Sequence, residues 1–93
     1  MADLLDGVSA NGAGSGVSVS GSTRVTVPNS SVFGDAAIEI QVADTDTSGD
    51  YVTTGLTFYA AGSYVVDCVG SAYLRAVVSG ATADTDVTVT AIS

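Results

Sequence analysis

The feature that most constrains this chain is a period-two alternation of small, β-branched residues. Clusters of glycine, serine, asparagine and aspartate break it at roughly 8–12 residue intervals. A strand points successive side chains to opposite faces, whereas an amphipathic helix needs apolar residues three and four apart. Valine occurs 15 times, threonine 11 times and leucine only 4 times in the 93 residues. That balance favours strands, because branched side chains suit a pleated, half-buried surface and lose rotamer freedom in a helix.

The alternation predicts seven short strands. Residues 17–20 and 23–27 form the first two, separated by Gly21 and Ser22, and Pro28 ends the second. Residues 36–42 are the clearest, with Ala36, Ile38, Ile40 and Val42 on one face and Ala37, Glu39 and Gln41 on the other. Residues 51–59 follow a polar turn at 44–50, and Gly55 suggests a bulge. Residues 64–69 place Tyr64, Val66 and Cys68 inward, and residues 72–79 do the same for Leu74, Ala76 and Val78. Residues 86–92 close the chain with Val87, Val89 and Ala91 inward. The predicted fold is all-β: a small antiparallel β-sandwich, Ig-like or jelly-roll-like, with one face of each sheet buried.

Residues 1–16 lack this pattern. The run Asn11-Gly12-Ala13-Gly14-Ser15-Gly16 reads as a flexible linker, so Leu4 and Leu5 are expected on a tethered arm that could clamp a neighbour. Residues 17–93 are expected to form a single sandwich domain. Its core of valine and alanine buries little area per residue, and its edges lack the lysines that discourage edge pairing. Both features suit a domain that works inside an assembly.

Charge excludes several function classes. Lys+Arg number 2 against Asp+Glu 10, giving a formal net charge of -8 with no histidine. Nucleic acid and anionic membranes both need clustered cations, so neither is an expected partner. No apolar run reaches the roughly 18 residues of a membrane-spanning helix, and the acidic opening residues do not read as a secretory signal. Cys68 is alone, at an inward position, with no histidine to activate it; a buried, inert thiol is expected.

Three further motifs have plain readings. Asp44-Thr45-Asp46-Thr47-Ser48-Gly49-Asp50 begins like a calcium loop, but Gly55 stands where the bidentate glutamate belongs, so an ordinary turn is expected. The glycines at 12, 14 and 16 precede no helix and no loop lysine, which removes the phosphate-cradle reading. The carboxylates read as a solvated surface, and the six aromatic residues as packing more than as a sugar-stacking platform. No catalytic residue, metal site or cofactor is expected, and the chain reads as non-enzymatic. The two cations, Arg24 and Arg75, lie at outward positions. Each either pairs with a neighbouring aspartate or reaches a carboxylate on another subunit. Leu4, Leu5, Arg24 and Arg75 are therefore the candidate interface residues.

The run Gly70-Ser71-Ala72-Tyr73-Leu74-Arg75-Ala76-Val77-Val78-Ser79-Gly80, ending in Val87-Thr88-Val89-Thr90, carries a resemblance. So do the Gly-Ser-Gly-rich entry, the stretch Ala36-Ala37-Ile38-Glu39-Ile40-Gln41-Val42 and the acidic Ser-Gly-Asp turn. Together, from about Gly16 to Ile92, they resemble small β-sandwich structural proteins of tailed bacteriophage virions. The resemblance implies a capsid cement or decoration protein on the outer surface of the phage head. It further implies a homo-oligomer, dimer or trimer, with the major capsid protein as partner. The alternative is a tail or head-fibre binding module, carbohydrate-recognising in one version.

Overall fold

The structure, a computed structural model, describes residues 2–92 and is all-β. Among the described residues seven strands form: β1 (Ala2–Val8), β2 (Gly12–Ala13), β3 (Val17–Val27), β4 (Ala37–Ala43), β5 (Val52–Phe58), β6 (Gly62–Ser79) and β7 (Val87–Ile92). A 3-10 turn, Ser48–Asp50, precedes β5. Every pairing is antiparallel, in the order β1-β7-β3-β6-β4-β5, with β2 paired to β6 off this path.

The two layers of the sandwich are parts of one sheet, because β3 and β6 run through both. The sequence predicts turns at Gly21 and at Gly70-Ser71; the strands instead continue through these points. Ser20 pairs with Ser71 but Gly21 pairs with Cys68, so β6 carries two extra residues there. Gly21 (φ 66°) and Gly70 (φ 75°) both adopt left-handed backbone, which only glycine takes readily. The glycines thus bend a ribbon rather than end two hairpins. An insertion of two residues also preserves parity: Cys68 before the bend and Ala72, Leu74, Ala76 and Val78 after it are all buried. One layer holds the first half of β6 with the second half of β3, β7 and β1; the other holds β2, the second half of β6, the start of β3, β4 and β5. Val25, Val87 and Val89 from the first layer and Ile38, Ile40 and Leu74 from the second share one core, each fully buried.

Residues 2–16 depart furthest from expectation; Met1 of the expected arm and Ser93 of the expected domain lie outside the described residues. Ala2–Val8 is the edge strand of the first layer, paired with β7, and Leu4 and Leu5 are 2 % and 4 % exposed in the core. Adjacent strand residues normally face opposite ways. Here Asp3 pairs with Thr90 and Leu5 with Val89, leaving Leu4 as an extra residue that resets the alternation so that both leucines turn inward. The glycine run is a packing device and not a linker. A Cβ at Gly14 would meet the Leu4 carbonyl oxygen, and would stand 2.8 Å from Leu5 Cδ2. The Gly14 amide also donates to the Ala76 carbonyl at 2.9 Å.

Other expectations hold. β3 ends at Val27, before Pro28. Gly55 sits in a bulge, since Glu39 pairs with Thr57 and Gln41 with Thr53, so that β5 carries two more residues than β4 across that step. Tyr64 does not hold: it is 57 % exposed, because the first half of β6 has β3 on one side and, among the described residues, no strand on the other. The loop before β4 is tied to the loop before β7 by buried Thr85, whose hydroxyl donates to the Phe33 carbonyl at 2.9 Å and accepts the Thr82 amide at 2.9 Å.

Candidate functional site

Arg75 faces outward from the second half of β6, beside Gln41 of β4, its register partner. Its Nε donates to Gln41 Oε1 at 2.7 Å, and Gln41 Nε2 donates to Glu39 Oε1 at 2.6 Å. Its guanidinium lies 4.2 Å from the centre of the Tyr51 ring, a cation–π contact. The Tyr51 hydroxyl donates to Asp46 Oδ1 at 2.8 Å. Partial burial, then the hydrogen bond to Asp46 and that carboxylate's charge, push the Tyr51 phenol up to about 12 against the opposing pull of Arg75. The ring reaches across the face so that its hydroxyl and the Asp46 carboxylate lie where a Cβ on Gly16 would stand. Arg75 is therefore engaged by a glutamine and a tyrosine of its own chain, partners that reasoning from nearest aspartates does not reveal.

The other candidates scatter. Arg24 is exposed on the outer face of β3, in register with Val65 of β6 and Ile92 of β7, on a different layer from Arg75. Leu4 and Leu5, expected on an arm, are core residues and present no side-chain surface to a partner. The structure does not bring these four together. In the 44–50 turn Thr45 Oγ1 donates to Asp50 Oδ2 at 2.7 Å, and Asp46 Oδ1 accepts from the Tyr51 hydroxyl. Among the described residues no three His, Cys, Asp or Glu side chains group as a metal site would require. Cys68 is buried, and burial followed by the charge of Asp67 raises its thiol pKa.

A feature not anticipated from the sequence is the open mouth between the layers, a groove of about 580 Å³. Its lining includes β6 from Tyr64 to Cys68, Thr54 and Leu56 of β5, Val42 of β4 and Ala72. Five consecutive residues of β6 line it, although their side chains alternate in direction. The groove therefore runs along the backbone edge of that strand. β5 likewise ends the sheet order, with β4 as its neighbour. Asp44 and Asp67, both exposed, stand on the rim, and none of the described lining residues is cationic. The apolar run Tyr64-Val65-Val66, with Tyr64 and Val65 both more than half exposed, is the sequence signal that marks this edge.

Comparison with protein-family models, with curated proteins and with solved structures finds no match to this chain.

Proposed function

We propose that this chain is a non-enzymatic structural component of a phage virion, a cement or decoration domain on the outer surface of the head. The observation that carries the docking part of this reading is the open strand edge between β5 and β6, apolar within and acidic at its rim. A free edge without lysine is a liability for an isolated domain and an asset for one that works in contact with others. The pattern of strands and turns from Gly16 to Ile92 supports the virion setting through its resemblance to such proteins. In this reading many copies, as dimers or trimers, sit where major capsid subunits meet and add contacts between them.

Cryo-EM of the intact particle that encodes this chain tests the proposal. Density of this all-β shape at repeating positions over the whole shell is the expected result. A bare shell, with the protein confined to the tail or to a few head fibres, overturns it in favour of a binding module.

A further inference from the structure

We propose that the groove between β5 and β6 is a strand-docking site. It takes an extended segment of a partner polypeptide, apolar at alternate positions and basic at the positions between, which pairs with the free backbone edge of β6 along residues 64–68. This deepens the docking reading and rests on it only for the partner being a shell subunit.

Three observations converge on that occupant. The first is the backbone. Residues 62–68 of β6 pair with β3 and with no second strand among the described residues, so their outer N–H and C=O groups are available to an added strand. The second is shape. Five residues of edge extend over about 17 Å at strand spacing. The 580 Å³ beside them falls within the range of clefts that hold ligands, roughly 300–1,000 Å³. Leu56, Val66 and Val42, all partly buried, offer an apolar surface to every second side chain of an incoming strand. The third is charge. Asp44 and Asp67 stand on the rim of a chain with net charge -8. A second copy would bring the same carboxylates to the groove, and like charges facing each other across paired strands are destabilising. Lysine or arginine between the apolar positions is complementary instead.

The test uses the isotope-labelled full chain and three blocked octapeptides: acetyl-(Val-Lys)4-amide, acetyl-(Ser-Lys)4-amide and acetyl-(Val-Glu)4-amide. The valine–lysine peptide is expected to shift amide resonances in residues 52–58 and 62–68 and to slow hydrogen exchange along 64–68. The other two are expected to leave those exchange rates unchanged. D44K/D67K, altering two exposed side chains, is expected to keep the dispersed spectrum and weaken the valine–lysine peptide about tenfold. The proposal is overturned if serine–lysine reproduces the same pattern, because charge alone then suffices. It is also overturned if the shifts fall elsewhere, or if the edge amides are already protected by concentration-dependent self-association. A failed titration beside a decorated shell removes the groove and leaves the docking role; a successful titration beside a bare shell does the reverse.

Discussion

Replacing Leu4 by alanine separates a strand from an arm. Leu4 is 2 % exposed and packs in the central cluster of the sandwich, on a strand held by β7. Truncating a buried leucine removes its transfer free energy and leaves a cavity, together about 3 kcal/mol or more. A 93-residue domain has a total stability of roughly 5–14 kcal/mol, so the loss is a large fraction of the whole. At about 4–8 °C per kcal/mol for a domain of this size, the thermal midpoint falls by roughly 12–24 °C. The assay is a thermal melt followed by far-UV circular dichroism, repeated as a urea titration to check that the slope is unchanged. Tyr59→Ala, at a position 75 % exposed, is the control, expected to change stability by no more than about 0.5 kcal/mol. A Leu4→Ala midpoint within about 2 °C of the parent, as for an exposed position, would refute the placement of β1 in the core.

Three further outcomes follow from the same geometry. Gly14→Ala drives a Cβ into the Leu4 carbonyl, whereas Gly16→Ala meets the movable ends of Tyr51 and Asp46; the first is expected to cost about 1–3 kcal/mol and clearly more than the second, and equal urea midpoints would count against the close packing. Thr23 and Thr85 are both buried, but Thr23 Oγ1 has no hydrogen-bond partner among the described residues while Thr85 Oγ1 donates to Phe33. Thr→Val is therefore expected to stabilise at 23 by about 1 kcal/mol and to destabilise at 85 by about 1–3 kcal/mol, and midpoint shifts of the same sign would contradict that account. The Tyr51 phenol is raised from 10.0 to about 12, so the stability it contributes is present below pH 10 and lost as the pH climbs toward 12. Tyr51→Phe is expected to make the decline of the urea midpoint across that window shallower, and parallel curves would contradict a raised Tyr51 phenol in the folded state.

What could be read from the sequence was local. Ala36, Ile38 and Ile40, then Leu74, Ala76 and Val78, then Val87, Val89 and Ala91 announce their buried faces, because each strand keeps a strict period of two. The first strand was hidden because its extra residue places Leu4 and Leu5 side by side, which erases that period. The continuity of β3 and β6 was hidden because a glycine with left-handed backbone serves a bend inside a ribbon as readily as a turn between strands. The polar face around Arg75 depends on a glutamine 34 positions away, and no single segment encodes such a pairing. The groove is subtler still. The run Tyr64-Val65-Val66 marks one of the strands that line it, but that this strand lacks a second neighbour among the described residues is a property of topology that no window of residues encodes.

The position of β7 has a consequence for how the chain is made. Its six residues form the slat between β1 and β3, so the first layer cannot be assembled until synthesis has run on from Val8 through Ile92. At about 5–20 residues per second, β1 waits roughly 4–17 s for that slat to emerge from the ribosome. Throughout this interval Leu4 and Leu5 have no core to enter, and the β7-facing edge of β3 stands unpaired. The interval open to mispairing therefore falls within translation, when the partner of both strands has yet to be made.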